Sequence, residues 1–107
     1  MAVGNSSAGS GSKVAVLVHN EGDHVGVAVT DLAAGEVLAG WLDSQRRQEI
    51  AVNEPVTLGH KVALVDLVSG ADVIEYGVRI AVTRNAISRG DLVHTHNVRS
   101  ARWHQSA

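Results

Sequence analysis

The residues best suited to chemistry are two histidines near the C-terminal end, in the run His94-Thr95-His96-Asn97. We predict that residues 92–96 form a strand, which places both imidazoles on one face, roughly 7 Å apart. Two imidazoles at that spacing can share a divalent metal or flank an anion, and Asn97 can orient one of them. A metal site needs a third ligand from elsewhere, so the alternative is that both histidines are edge-strand residues bonded to backbone groups.

Two further clusters offer substrate contacts. The loop from His19 to His24 (HNEGDH) carries two histidines and two acids between two predicted strands, and loops on rigid sheets often bind ligands. His60 and Lys61 adjoin another predicted strand and can bind a carboxylate. Either cluster is equally compatible with an ordinary surface turn. The candidates for a third metal ligand are His19, Asp23, His24 and His60.

Charge is divided unevenly along the chain. The net charge is −2, but residues 1–83 carry a balance of −5, whereas the residues from Arg84 onward carry +3 and three of the six histidines. A small basic end on an acidic domain suits an anionic ligand or an acidic partner surface. Arg84, at the start of this end, and Lys61, outside it, are candidate contacts for a carboxylate or sulfonate. The overall negative charge does not indicate a nucleic-acid-binding surface.

The elements that must position these groups are predicted to be strands. Of the 107 residues 18 are Val and 14 are Ala, while aromatics make up 3% and Phe is absent. A core of small branched side chains favours pleated strands. Short apolar runs punctuated by Gly, Asp or Asn predict a small all-β barrel or clip with minor helical turns. The predicted strands are Val14–Val18, Val25–Val29, Val62–Val65, Asp72–Tyr76, Val78–Val82 and Leu92–His96.

One stretch lacks a strand pattern. Residues 43–49 (DSQRRQE) are polar on every side, so we predict a loop or a solvated turn of helix. Elsewhere a weak repeat supports the β prediction, because three segments each run from a strand through a short turn to Gly35, Gly70 or Gly90 and on into another Val-containing strand. The glycine is expected to supply a positive φ where each turn ends.

Several classes of function are excluded by composition. Cys is absent, which removes thiol catalysis and disulfides, and no G-x-S-x-G elbow or phosphate-binding glycine loop is present. No apolar run is long enough for a membrane span. We expect residues 1–12, which are rich in Gly, Ser and Ala, to be a flexible leader, and residues 13–107 to be a single domain. No secretory signal pattern is seen, so a cytoplasmic location is expected.

Taken together, several segments are similar to a known family. Residues 59–64 (GHKVAL), 73–77 (VIEYG) and 90–97 (GDLVHTHN) resemble the N-terminal SAF-type domain of altronate and galactarate dehydratases. Further segments resemble the free-standing small subunit of (2R)-sulfolactate sulfo-lyase, namely residues 19–27 (HNEGDHVGV), Gly40-Trp41 and residues 98–103 (VRSARW). The sequence departs from the family pattern at residues 81–84 (AVTR) and at His24.

The resemblance implies a β-clip fold and a place in a larger enzyme. It implies a partner that is a larger catalytic subunit, a β-elimination from a small anionic 2-hydroxy acid, and a divalent metal, often iron, in the assembled enzyme. The leaving group is water in the dehydratases and sulfite in the sulfo-lyase. In that chemistry His94, His96 and Asn97 are the candidate catalytic residues, and His94 and His96 are the candidate metal ligands.

The sequence is compatible with two other functions. The chain is alternatively a non-catalytic SAF module that binds a carbohydrate or small anion. A stand-alone metal-dependent hydrolase ranks last, because a chain of 107 residues without an evident third metal ligand offers few groups for a complete active site.

Overall fold

The computed structural model describes residues 13–101, which fold into nine short strands joined by turns. The prediction of an all-β chain is therefore confirmed. The predicted leader and Trp103 lie outside the described residues. The strands are β1 (Val14–Val18), β2 (Val25–Ala28), β3 (Gly35–Trp41), β4 (Arg47–Val52), β5 (Lys61–Ala63), β6 (Asp72–Glu75), β7 (Val78–Thr83), β8 (Leu92–Val93) and β9 (Val98–Ser100).

The strands form two sheets. A six-stranded sheet has the order β4-β3-β1-β2-β5-β8, and a three-stranded sheet has the order β9-β7-β6. All neighbours are antiparallel except β1 and β3, which run parallel. β5 and β8 lie at one end of the larger sheet. Lys61 of β5 contacts Glu75 of the smaller sheet.

The turns between strands follow one pattern used four times, in two pairs. Leu32 and Val56 exchange backbone hydrogen bonds of 2.7 and 2.9 Å, and Leu67 and Ile87 exchange two of 2.8 Å. The residue before each first member is an aspartate: Asp31 accepts from the Leu58 backbone N–H, and Asp66 accepts from that of Arg89, both at 2.8 Å. Three residues after each bridge stands a glycine with positive φ, namely Gly35, Gly59, Gly70 and Gly90.

The structure thus contains four copies of the repeat, whereas the sequence analysis predicted three. The missed copy is residues 53–59 (NEPVTLG), whose Pro and Glu disguise the pattern of the other three. Each copy hydrogen-bonds to a second copy, so the four copies form two pairs. This arrangement is the β-clip that the resemblance implies.

Valine is the commonest residue of the core, followed by alanine. The largest fully buried side chains are all Val: Val16, Val18, Val25, Val56, Val62 and Val73. Trp41 covers this core and is 7% exposed. The expectation of a small-residue core that needs few rings is confirmed. Within the described range 13–101, no helix is long and apolar enough to cross a membrane.

The polar stretch 43–49 is a hairpin turn that leads into a strand, which corrects the prediction for its second half. Residues 42–44 form the turn, and Arg47 to Glu49 pair with β3 as the start of β4. Glu21 organises the turn: its N–H donates to Asp43, and its carboxylate accepts from Ser44 and Arg46. β4 is an edge strand with one exposed face, so polar side chains are tolerated there and discourage edge-to-edge pairing.

Candidate functional site

An open groove of about 360 Å³ lies between the two sheets and is lined by several of the candidate site residues. The larger sheet and its flanking turns contribute its polar wall, namely Gly59, His60, Lys61, Val93, His94 and Thr95. The smaller sheet contributes a mainly apolar wall, namely Val73, Ile80, Ala81, Val98 and Ser100. An apolar cleft with a few converging polar groups is the usual form of a small-molecule site. We call this feature the inter-sheet groove.

Two histidines that lie 34 positions apart in sequence meet in this groove. The rings of His60 and His94 are stacked, with centroids 4.9 Å apart and an interplanar angle of 26°. Their strands explain the encounter, because β5 follows His60, β8 precedes His94, and Lys61 is in register with Val93. The Nδ1 atom of His60 is buried and has no hydrogen-bond partner among residues 13–101.

Lys61 supplies positive charge to the groove. Its ammonium lies 3.7 Å from Oε1 of Glu75, whose side chain is only 5% exposed, whereas the Lys61 side chain is 35% exposed. Lys61 belongs to the larger sheet and Glu75 to the smaller one, so this ion pair joins the two sheets beside the groove. The contact is too long for a hydrogen bond, which leaves the ammonium N–H groups available to an anionic ligand.

Glu75 was not singled out from the sequence, although a signal was present. The alternation in β6 places Val73 and Glu75 on the same buried face, and a carboxylate on a buried face needs a cation. Sequence alone did not show that Lys61, on another sheet, is that cation.

The Lys61–Glu75 pair leads to a prediction on stability. We expect Lys61→Met to lower the free energy of unfolding by about 2 kcal/mol, because it leaves a buried carboxylate unpaired. The second change in Lys61→Met/Glu75→Gln should recover most of that loss. A double-mutant cycle by urea unfolding measures the coupling.

The matched control is the exposed pair of Arg79 and Asp72, 3.6 Å apart. Its coupling should stay below about 1 kcal/mol, as for surface pairs in general. Equal coupling free energies in the two pairs would mean that the burial of Glu75 does not strengthen its interaction with Lys61.

The predicted strand over residues 92–96 ends at Val93, and His94 to Asn97 form a tight turn. This corrects the expectation that His94 and His96 share one strand face. Asn97 causes the turn: its buried side chain accepts the His94 backbone N–H at 2.9 Å and donates to the Leu92 carbonyl at 2.8 Å. An Asn side chain that bonds to nearby backbone competes with continued strand pairing.

The loop from His19 to His24 is tied to the β6–β7 hairpin and does not line the inter-sheet groove. Asp23, buried, accepts backbone N–H groups of Tyr76 at 3.0 Å and Gly77 at 3.1 Å. His24 accepts the N–H of Ile74 through its Nδ1 at 3.0 Å. His19 stacks on the Tyr76 ring with centroids 3.9 Å apart. These side chains hold the hairpin that carries Glu75.

Arg84 and His96 border the groove without lining it. The Nε of Arg84 donates to the Val98 carbonyl at 3.1 Å, and its backbone N–H donates to Asn97 at 2.8 Å. His96 is exposed at the tip of the turn. Of the sequence-predicted site residues, the groove therefore brings together His60, Lys61 and His94, with Asn97 beneath them.

The residues of the groove do not fit a metal ion by themselves. No three His, Asp or Glu side chains converge anywhere in residues 13–101. His60 and His94 meet face to face, whereas ligation uses in-plane lone pairs that point at one centre.

The comparisons with known proteins agree with this all-β fold. The model of the altronate/galactarate dehydratase SAF domain matches residues 14–101, and the chain belongs to that family. The chain is 39% identical to the (2R)-sulfolactate sulfo-lyase subunit alpha of Chromohalobacter salexigens, over 81% of this chain and 95% of that subunit.

Two altronate dehydratases are also similar. The enzyme of Escherichia coli is 40% identical over 73% of this chain, and that of Bacillus subtilis is 30% identical over 79%. The matched region is only 15% and 16% of those two proteins. The relatives are lyases, one of them a separate subunit and two of them longer chains, so the role of this chain is related to a lyase.

Proposed function

We propose that this chain is the small subunit of a lyase that acts on an anionic 2-hydroxy acid, and that it is inactive alone. One observation carries the proposal: the fold gathers Lys61, His60 and His94 at the polar wall of an apolar groove. The sulfo-lyase relative, which is a subunit and is matched over nearly its whole length, supports assembly with a larger catalytic chain.

The groove suits the charge that develops during elimination. A base removes the proton from the carbon next to the carboxylate, the leaving group departs from the neighbouring carbon with its bonding electrons, and the resulting enol rearranges to a 2-keto acid. Negative charge accumulates on the carboxylate side as an enediolate, and fixed cations and hydrogen-bond donors stabilise it. Lys61 would supply the cation and His94 a donor.

The rest of the chemistry falls to the partner. An open groove with two stacked imidazoles and no converging metal ligands among the described residues would be closed by the larger subunit. We assign to that subunit the divalent metal that the family resemblance implies, since bound metal holds hydroxy-acid oxygens and polarises them. A cytoplasmic location stays a prediction.

The test is reconstitution. The full chain is co-expressed with a larger dehydratase-type subunit encoded beside it, and the purified complex is assayed for 2-keto acid and sulfite release from (2R)-sulfolactate, altronate and galactarate. We expect activity from the complex and none from either chain alone. Failure of the two chains to associate, or an active larger chain that this one does not affect, contradicts the proposal.

Within the complex, His94→Ala should lower kcat/KM by about 10²-fold or more, the usual loss for one donor to a developing oxyanion. The double variant His94→Ala/His96→Ala should abolish activity. The unfolding midpoint of the single variant should stay close to that of the wild type, because His94 is exposed. Arg47→Ala, on the exposed face of the distant edge strand β4, is the matched control and should leave kcat/KM unchanged. An unfolded His94→Ala variant would instead show a structural role.

A non-catalytic anion-binding module is the second candidate, favoured by the openness of the groove in the single chain. It requires that the isolated chain bind lactate or sulfite as tightly as the complex does. Tight binding without any effect on a larger subunit would replace the lyase proposal with this one.

A further inference from the structure

The proton of the His94 ring is fixed by the backbone. The N–H of Thr95 donates to Nδ1 of His94 at 2.8 Å, and the Thr95 hydroxyl lies 3.3 Å from the same atom. A backbone N–H is always a donor, so Nδ1 must be the acceptor and carry no hydrogen. The proton of the neutral ring is then on Nε2.

The surrounding turn holds this arrangement in place. Asn97 accepts the His94 N–H through Oδ1, and the His94 carbonyl accepts from the backbone of Asn97 at 2.9 Å and of Val98 at 3.0 Å. Because Asn97 is buried and also bonded to the Leu92 carbonyl, the turn cannot rearrange without breaking several hydrogen bonds. On its face, the His94 ring is supported by His60.

We infer that His94 acts in the groove as a neutral Nε2–H hydrogen-bond donor to an anionic oxygen, and as neither a metal ligand nor a proton acceptor. Both excluded roles need a free lone pair on the ring. The lone pair of Nδ1 is engaged by Thr95, and Nε2 carries the proton instead of a lone pair. Lys61 lines the same groove, so a carboxylate or enediolate oxygen would meet an ammonium and an imidazole N–H together.

The identity of the anion rests on the proposed function, but the position of the proton does not. Thr95 is consequently a positioning residue that acts through its backbone N–H. The same logic applies to His24, whose Nδ1 accepts the N–H of Ile74, and it does not apply to His96, which is exposed at the tip of the turn. His24 is therefore the positive control and His96 the negative control for the position of the ring proton.

The first experiment uses the full chain labelled with ¹⁵N, at about pH 8, above the usual pKa of histidine. Two-bond ¹⁵N–¹H correlations report which ring nitrogen carries the proton, and His94→Gln assigns the signals. We expect His94 and His24 to show only the Nε2–H form, and His96 to show a mixture of both forms. An Nδ1–H form or a mixture at His94 overturns the inference.

Two titrations separate the ligand classes. Lactate should shift the His94 Nε2–H signal, whereas Zn²⁺ alone should leave the His94 ring nitrogens unshifted. Loss of the Nε2 proton with a Zn²⁺-dependent shift would make His94 a metal ligand and overturn the inference. These readouts do not require the larger subunit, so they stand even if the lyase proposal fails.

The second experiment uses the reconstituted complex. Gln places an N–H donor near the position of Nε2 but offers neither a ring lone pair nor a basic nitrogen. If donation is the role, His94→Gln should retain activity within about 10-fold of the wild type, against about 10²-fold loss for His94→Ala. Equal loss in the two variants argues for ligation or proton transfer and overturns the inference. A wild-type complex with no lyase activity contradicts the proposed function alone, because the proton position is read from the chain itself.

Discussion

Gly90→Ala is expected to cost about 2–4 kcal/mol of unfolding free energy, the largest effect among the Gly→Ala changes in the described part of the chain. Gly90 has a φ of 92°, and an added Cβ would collide with the backbone carbonyl oxygen of Ala51. A side chain in the left-handed region costs about 1 kcal/mol or more. Overpacking against rigid atoms adds about 1–3 kcal/mol.

The backbone around Gly90 has no freedom to relieve that collision. The Gly90 N–H donates to Ala63 at 2.8 Å, and its carbonyl accepts from Asn53 at 2.9 Å. The glycine therefore ties the end of β4 to β5, the strand that carries Lys61. Moving it would disturb the groove as well as the clip.

Gly70→Ala is the matched control, because Gly70 occupies the same turn position. Its φ is 80°, and no atom lies within 4 Å of the position that an added Cβ would occupy. We expect a loss of about 1 kcal/mol, from backbone conformation alone. Urea unfolding of the two variants measures the difference, and equal losses would show that the contact with Ala51 relaxes at little cost.

Asp23→Ala is expected to be the most destabilising change in the His19–His24 loop, at about 3–5 kcal/mol. The Asp23 carboxylate accepts three backbone N–H groups, from Asn20 at 3.2 Å, Tyr76 at 3.0 Å and Gly77 at 3.1 Å. It is 5% exposed, so water cannot easily replace it. The three hydrogen bonds are partly buried, and a donor left unsatisfied away from water costs about 1–3 kcal/mol.

The β6–β7 turn depends on this carboxylate. Tyr76 has a φ of 58° and Gly77 of 75°, and Asp23 binds both N–H groups of this strained two-residue turn. Glu75 immediately precedes it, so loss of Asp23 should also loosen the Lys61–Glu75 pair. In the reconstituted complex we expect a raised KM.

The controls for Asp23 are one milder variant and one exposed acid. Asp23→Asn keeps the shape and one acceptor oxygen, and should lose less stability than Asp23→Ala while remaining folded. Asp43→Ala removes a single acceptor on the exposed surface, where Asp43 accepts the Glu21 N–H at 3.0 Å, and should cost under about 1 kcal/mol. Thermal unfolding compares the three. A loss in Asp23→Ala no greater than in Asp43→Ala would show that solvent satisfies the three donors.

Much of the fold could be predicted because its causes are local. The alternation of valines predicts β1 and β2, and the glycines after short polar turns predict where the chain reverses. β3 (GEVLAGW) was indicated only in part, as the Val-containing strand that follows Gly35 in the repeat, because it includes glycines, and β4 was missed because it begins with RQE. Neighbouring strands stabilise both of them. β3 lies between β1 and β4, and β4 is an edge strand that needs only one apolar face, provided by Ile50 and Val52.

The site was predictable in composition and not in arrangement. His60, Lys61 and His94 were each candidates, but nothing local indicates that residues 34 positions apart stack. Glu75 was overlooked for the same reason, since its partner belongs to the other sheet. Asp23 was a candidate ligand, and the structure instead shows its carboxylate bonded to three backbone N–H groups.

The sequence by itself determined an all-β chain with a valine core, glycine turns and a histidine-bearing basic end, because alternation, β-branching and positive φ act over a few residues. Only the tertiary structure decided that Asn97 turns the chain and that Thr95 fixes the proton on His94. It also decided that Glu75 pairs with Lys61 and that His60 supports the His94 ring. Contacts between strands distant in sequence create the groove, and hydrogen-bond geometry within it determines whether an imidazole donates or accepts.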